Sequence, residues 1–348
     1  MPRWFALRSQ ASRRKAAPTV DPRQAGDFRG LRWCGRLAQS SERTPFDPML
    51  SLPLVLRAVA VSFALVTAVR AAHPFLCTDA SGNKVALVSA EGKIEWEYEC
   101  RHPQDCWVLA NGNFLFCHEG GALEMTRDKK VVWEYKAGPD TQVHACQPLP
   151  DGRVLLVENG PCRIIEVDRA GKIAKEIKLR TPPAAIKLHD QFRGTRKTKD
   201  GHYILCRKGE HLIEELDGNG KTLRTIPVPG DVHEALLLPN GHLLIALGEG
   251  HKVEELDAGL KVVWELNQND LPGNPLQLMT GFQRLPNGNT IFCNYLGHEQ
   301  VAGQPHFFEI TPDKKIVWQF ADHEHFKTIN QIQVLDVPGD PAKGEILR

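Results

Sequence analysis

The chain has 348 residues, 42% of them hydrophobic, with a net charge of +1; that is enough apolar material to bury a substantial core in one to three domains. The charge is uneven: residues 1–48 carry +6, residues 49–71 carry +2, and residues 72–348 carry −7. A mildly acidic body has no broad attraction for phosphate backbones, which argues against a nucleic-acid partner.

Residues 1–48 are rich in arginine and read as a basic disordered extension or a misassigned start, since Met49 would itself begin an ordinary leader. From Met49 the chain runs MLSLPLVLRAVAVSFALVTAVRAAHPF. The apolar stretch Ala58 to Val69 is short of the ~20 residues of a membrane span. It ends in small residues, with Val69 and Ala71 at the −3 and −1 positions of a cleavage site, so residues 49–71 read as a secretory signal peptide. The expected mature chain, 72–348, is secreted or periplasmic, has no membrane span and works as a monomer. Eight cysteines fall within it with no C-x-x-C pair of the metal or redox type. A Cys100–Cys106 disulfide is conceivable in an oxidising compartment.

Within 72–348 the chain repeats itself, and a repeat can settle an architecture. WVLANGNFLFC (107–117), QPLPDGRVLLV (147–157), RKTKDGHYILC (196–206), LLLPNGHLLIA (236–246) and QRLPNGNTIFC (283–293) are apolar stretches joined by a turn ending in glycine. The turn glycines are Gly112, Gly152, Gly201, Gly241 and Gly288, spaced 40, 49, 40 and 47 residues apart. Asn-Gly and Asp-Gly between apolar runs mark hairpins, because a tight turn needs a positive φ. A second hairpin of the form E-h-D-x-x-G-K-h-h-W-E follows each, as in IIEVDRAGKIAKEI (164–177) and VEELDAGLKVVWEL (253–266). Four short strands per repeat predict an all-β propeller blade.

Six copies of the last strand occur, around Trp96, Trp133, Ala174, Leu223, Trp264 and Trp318, but only five complete first hairpins precede them. The missing half matches NQIQVLD…KGEIL (330–347). The sequence therefore predicts a six-bladed β-propeller closed by a latch blade, with two inner strands from the C-terminal end and two outer strands from the N-terminal end. The repeated tryptophans read as wedges between blades.

The repeat also places candidate site residues. The first strand of each blade lines the channel, and its start shares a rim with the end of the second. Eight positions before each turn glycine stand Gln104, His144, Arg193, His233 and Thr280, with Asn330 as the match in the latch blade. All six are polar and are expected to converge on one mouth. The ends of second strands add His118, Glu119, Glu158, Asn159, Arg207, Lys208, Glu249, Asn294 and Tyr295. The long connections 181–192, 267–279 and 321–329 bring His189, Asp190, His323 and His325 to the same rim. His144, His189 and His233 beside Glu158 would suit a divalent metal. Arg193, Arg207 and Lys208 would suit a carboxylate, phosphate or sulfate. No G-x-S-x-G elbow, phosphate loop or deaminase signature occurs.

The L-P-[ND]-G-[NHR] turn at 149–153, 238–242 and 285–289, followed by E-x-D-x-x-G-K-x-x-W, resembles the PQQ-like and arylsulfotransferase-like propeller repeats of secreted bacterial proteins, over about 77–348. The resemblance implies a bacterial envelope propeller, with pyrroloquinoline quinone or a divalent metal as conceivable cofactors. Quinoprotein dehydrogenases of that type mostly have eight blades, a calcium-bound quinone and often adjacent cysteines, which this chain lacks. Arylsulfotransferases use a strand-start histidine as transient sulfate acceptor with other His and Arg residues around it, an arrangement the resemblance implies for His144, His233 and Arg193. Three functions stay open at this point. One is a noncatalytic binding or scaffold propeller taking a small molecule, glycan or envelope protein. The others are an enzyme of group transfer or anionic-glycan cleavage, and a quinone-dependent oxidoreductase.

Overall fold

The five turn glycines take φ between +81° and +88°, the left-handed conformation that turned the sequence reading toward hairpins. In the computed structural model they close the first hairpins of a six-bladed, all-β propeller with four antiparallel strands in every blade. The structure describes residues 72–273, 275–298 and 303–348. The basic extension and the signal peptide read from the sequence lie outside the described residues.

Blades 1 to 5 take their four strands consecutively from residues 105–136, 142–178, 195–227, 234–267 and 278–320. Blade 6 is the latch. Its innermost strand is Ile329–Val334, and its other three are Phe75–Asp79, Lys84–Val88 and Ile94–Glu99. The closure is thus one strand from the C-terminal end and three from the N-terminal end, where the sequence suggested two and two. In the sequence the apolar FLC run of Phe75–Asp79 is continuous with the apolar leader and so carries no separate strand signal. The tail beyond Val334 does not return as a strand. Pro338 and Pro341 withhold ladder donors, and Asp340 accepts from Ala342 N–H (3.0 Å) to start a single 3₁₀ turn, Pro341–Lys343.

The core consists of six apolar wedges, one at each blade interface. Trp107 and Leu115 of blade 1 meet Cys146 and Leu156 of blade 2, and the pattern recurs round to Leu76 and Trp96 of blade 6 against Phe114 and Phe116 of blade 1. The strand-four tryptophans do act as wedges. Trp133 donates to the Asp168 carbonyl and Trp264 to the Pro312 carbonyl, each 2.8 Å away on the next blade. The repeated glutamate of strand three has a matching purpose. Glu124 reaches Arg169 (2.6 Å), Glu166 reaches Lys197 (2.6 Å) and Glu255 reaches Arg284 (2.6 Å), so the motif ties blades 1, 2 and 4 to their successors, whereas Glu215 of blade 3 pairs within its own blade with His202 and Arg224. The motif's aspartates accept main-chain N–H groups of their own turns, as Asp217 does from Asn219 and Lys221. All eight cysteines of the described residues are free thiols, Cys100 and Cys106 included.

Candidate ligand site at the channel mouth

The channel has two ends, and the C-terminal segment lines a cavity of about 450 Å³ at one of them. Arg348 enters the channel and pairs with Asp105 (2.9 Å) and the Gln331 amide oxygen (3.1 Å). Arg196 bridges Asp105 (2.9 Å) and Glu234 (3.1 Å), which belong to opposite blades, and donates to the Arg348 main-chain oxygen (3.0 Å). The position after each rim residue is acidic only in blades 1 and 4, as Asp105 and Glu234; Ala145, Gly194 and Gly281 leave room in blades 2, 3 and 5. That spacing marks the two acidic members of the network, and their meeting on Arg196 follows from closure of the ring. Gly194 is needed here, since a Cβ would sit 2.3 Å from a Glu234 carboxyl oxygen. Burial is the main cause pushing the Glu234 carboxyl up to about 7; Arg196 opposes it and Asp105 adds to it.

The open end is a cavity of about 760 Å³. Gln104, Arg193, His233, Thr280 and Asn330 line it, and His144 lines a contiguous recess of about 120 Å³ shared with Gln104 and His189. The six rim residues therefore gather at one mouth, as the repeat offset implied. Local backbone geometry aims several of them. His144 is the extra residue of a bulge between Val143 and Ala145, Thr280 and Gly281 lie in another, and Asn330 in a third. A bulge turns one side chain out of the ladder's alternation. In blades 3 and 4 the ladder starts after the rim residue, leaving Arg193 and His233 at the strand heads.

The six are not equivalent chemically. Thr280 donates to the Asn330 carbonyl (2.9 Å), and Asn330 donates to the carbonyls of Pro103 and Gln104 while accepting from Thr78. The ring nitrogens of His144 lie 3.3 and 3.1 Å from the amide oxygens of Gln104 and Gln142. These four form a collar tied to one another, to Thr78 and Gln142 and to neighbouring main chain, with a neutral His144 donating to one of its two glutamine oxygens. Arg193 and His233 differ. Arg193 is buried and makes one hydrogen bond beyond its main chain, Nη1 to the Phe192 carbonyl (3.1 Å). Five cationic side chains are buried among the described residues: Arg193, Arg196, Arg207, Lys208 and Arg348. The other four have carboxylate partners, and Arg193 has none within 4.0 Å. Burial lowers its pKa to about 10, which still leaves it cationic at neutral pH. His233 Nε2 is shielded from solvent and has no hydrogen-bond partner.

His144, His189 and His233 are neutral near pH 7. Burial, reinforced by Arg193, depresses His144 and His233 well below the ordinary imidazole range, and the same two causes bring His189 to about 4. His189 stands edge-on to His144, ring centroids 5.1 Å apart, on the 3₁₀ turn Leu188–Asp190.

The second-strand candidates divide by parity. Residues six after the turn glycine point between blades. Glu158 accepts from Tyr135 Oη (2.8 Å) and pairs with Arg163 (2.5 Å); Arg207 pairs with Glu214 (2.5 Å) and Glu210 (2.9 Å); Asn294 holds the carbonyls of Pro275 (2.8 Å) and Pro305 (2.9 Å). None of the three lines the mouth, so these ligand assignments are corrected, and the three histidines have no Glu158 beside them. One position later the side chain faces the rim, because successive strand residues alternate. Lys208 and Tyr295 line the cavity, and Asn159 anchors the 188–192 connection through the carbonyls of Leu188 and Phe192. Lys208 is paired with Asp190 (2.6 Å) and Asp231 (3.3 Å), and Tyr295 Oη is 3.3 Å from Ser81 Oγ. His323 and His325 do not line the mouth cavity. Among the described residues no three His, Cys, Asp or Glu side chains converge as a metal set. The mouth carboxylates Asp190, Asp231 and Glu249 are already paired with Lys208 and His298, so the residues do not fit a calcium-bound quinone.

No protein-family model matches the chain, and no curated protein matches it. It is similar to a structure of a protein of unknown function from Bacteroides caccae, at 29% identity and TM-score 0.69, over 75% of this chain and 97% of that one. It is also similar to a streptogramin B lyase structure, at 16% identity and TM-score 0.51, over 74% of this chain and 86% of that one. A catalytically inactive virginiamycin B lyase from Staphylococcus aureus with quinupristin matches at 14% identity and TM-score 0.52, over 74% and 87%. The likeness to the two lyases is one of fold alone.

Proposed function

We propose that this chain is an exported ligand-binding propeller whose open mouth takes an anionic ligand, a small carboxylate or the acidic residue of a glycan. The observation that carries the reading is the unpaired, buried guanidinium of Arg193. A buried cation without a partner costs several kcal/mol, on the order of the effective penalty per ion. A planar guanidinium with free donors is matched to a carboxylate or sulfate, which it binds through two parallel hydrogen bonds. A cavity of about 760 Å³ has room for a short oligosaccharide or a molecule of drug size. Export rests on the leader-like run at 49–71; N-terminal sequencing of the mature protein tests it, with a start at Ala72 expected.

Calorimetric titration with galacturonate, sulfate and phosphate tests the site. Binding of at least one anion is expected, weakened at least tenfold in Arg193→Gln. Equal affinities in the two proteins would remove the basis of the reading.

A further inference from the structure

We infer that the outer edge of the face opposite the mouth, from blade 1 to blade 4, is a docking surface for an anionic lipid bilayer. The turn that joins strands three and four of each blade carries this surface, independently of the anion site.

First strands start at the mouth, so in an antiparallel blade both hairpins that begin on odd strands turn on the opposite face. The second of these turns has a lysine at the same place in all six blades: Lys93, Lys130, Lys172, Lys221, Lys261 and Lys315. Its main chain is fully employed. In each blade the lysine carbonyl accepts from the N–H four residues back, and its own N–H donates to the Ser, Thr or Asp side chain there. Any residue except proline supplies those two groups, so the turn does not account for the side chain. All six lysines are exposed. Lys315 pairs with Asp313 (2.6 Å), and the other five have no carboxylate within 4.0 Å among the described residues.

Exposed apolar side chains gather at the same lysines. Seven large ones are exposed among the described residues: Val131 and Val132 in blade 1, Ile173 in blade 2, Leu223 in blade 3, and Leu260, Val262 and Val263 in blade 4. Every one lies within two residues of a turn lysine. Apolar residues scattered singly over a surface need no explanation, but a set confined to one edge does. Lysine on an outer strand guards a sheet edge against pairing; guarding would not leave leucine and valine exposed beside it.

Leu260 is a second sign. It stands at φ +66°, where blades 2, 3 and 6 carry Gly171, Gly220 and Gly92. A left-handed backbone is strained for leucine, and an exposed leucine gains little packing in return. The other two blades put Lys129 and Lys314 there, also at positive φ. Where this turn departs from glycine, it holds an apolar or a cationic residue.

Charge selects the partner. From four residues before the lysine to two after it, basic side chains outnumber acidic ones in blades 1, 2 and 5 and equal them in blades 3 and 4. The carboxylates of Asp168, Asp217 and Asp257 are folded onto N–H groups of their own turns. Blade 6 has Glu91 and Glu95 around Lys93 and no exposed large apolar side chain, which ends the arc. A second copy laid on this edge would set lysine against lysine. Anionic phospholipid meets both features, its phosphates facing the ammonium groups and its acyl boundary taking the valines and leucines. The mouth then faces away from the bilayer and stays open to its ligand.

All strands of the ring lie between Phe75 and Val334, so residues 72–348 close it on their own, and the test uses that chain with sedimented vesicles. Vesicles of phosphatidylglycerol and phosphatidylcholine in equal parts should bind it at least about tenfold more tightly than phosphatidylcholine alone, and salt should weaken the binding. Lys130→Gln, Lys172→Gln, Lys221→Gln and Lys261→Gln combined should weaken it at least ~100-fold, since each lysine near an anionic surface is worth about fivefold. Leu223→Ser with Val263→Ser should weaken it about tenfold. Leu260→Gly should weaken it while the melting temperature holds or rises. None of these side chains lines the mouth, so the anion titration and this test fail separately. Wild type that ignores anionic vesicles, or that binds them no better than the lysine variant, would overturn the bilayer assignment. Self-association lost in the Leu223 and Val263 variant, or dextran sulfate bound through these lysines, would overturn it too if vesicles are not bound.

Discussion

Arg193 and His233 head the first strands of neighbouring blades, coupled by the 2.9 Å hydrogen bond from Gly194 N–H to the His233 carbonyl. Around them Gln104, His144, Thr280 and Asn330 bond to one another and to main chain. The mouth is therefore an asymmetric site: four positions of the ring build a wall, and two adjacent positions retain unused hydrogen-bonding capacity.

That asymmetry predicts opposite responses from two buried arginines. Arg193→Met removes an unpaired charge and should leave the melting temperature unchanged or raise it. Arg207→Met strands the Glu214 carboxylate, leaves Glu210 with Arg180 alone, and should cost about 3 kcal/mol, a loss typical of breaking one side of a buried pair. Thermal unfolding of both variants at neutral pH checks the contrast.

Glu158 separates support from site. Its carboxylate holds Tyr135 and Arg163 between blades, away from the cavity. Glu158→Gln should destabilise the fold by roughly 1–3 kcal/mol and leave anion affinity unchanged, as read by denaturant unfolding and calorimetry on the same preparation.

The channel network gives a pH signature. Glu234 keeps its proton up to about pH 7 in the folded protein and only to the ordinary carboxylate range when unfolded. Its contribution to stability is therefore full at acid pH and is lost as pH rises through about 7. His189, depressed to about 4, acts in the other direction: its contribution is present above about pH 6.5 and is lost as pH falls toward 4. Glu234→Gln should gain stability relative to wild type by about 2–3 kcal/mol between pH 4 and pH 8. Urea unfolding at both pH values measures it; an unchanged difference would exclude a protonated Glu234.

Arg348 stands at the far end of the channel, paired with Asp105 and Gln331. Arg348→Ala leaves Asp105 with Arg196 as its remaining cationic partner and should lower stability by about 2–4 kcal/mol. Ligand affinity at the opposite mouth should not change, as calorimetry and chemical unfolding would record.

Much of this was legible in the sequence because a propeller converts a fixed offset into a fixed place. Eight residues before each turn glycine marks five rim positions, the match of the latch blade marks Asn330 as the sixth, and the Trp of the second hairpin marks the wedges between blades. Three things were not legible. A one-residue step along strand two swaps interior for rim, so the sequence offers Glu158, Arg207 and Asn294 beside Lys208 and Tyr295 without telling which of them line the cavity. The strand Phe75–Asp79 was masked by the apolar run before it. The Asp105–Arg196–Glu234 bridge spans opposite blades, and such pairing follows from ring closure rather than from any local pattern.

A crystal soaked with galacturonate tests the central claim most directly. The carboxylate should be found with both oxygens within hydrogen-bond distance of the Arg193 guanidinium and its ring beside His233. Well-ordered ligand seated only at the far end near Arg348 and Leu347, or bound at the mouth without touching Arg193, would contradict the account.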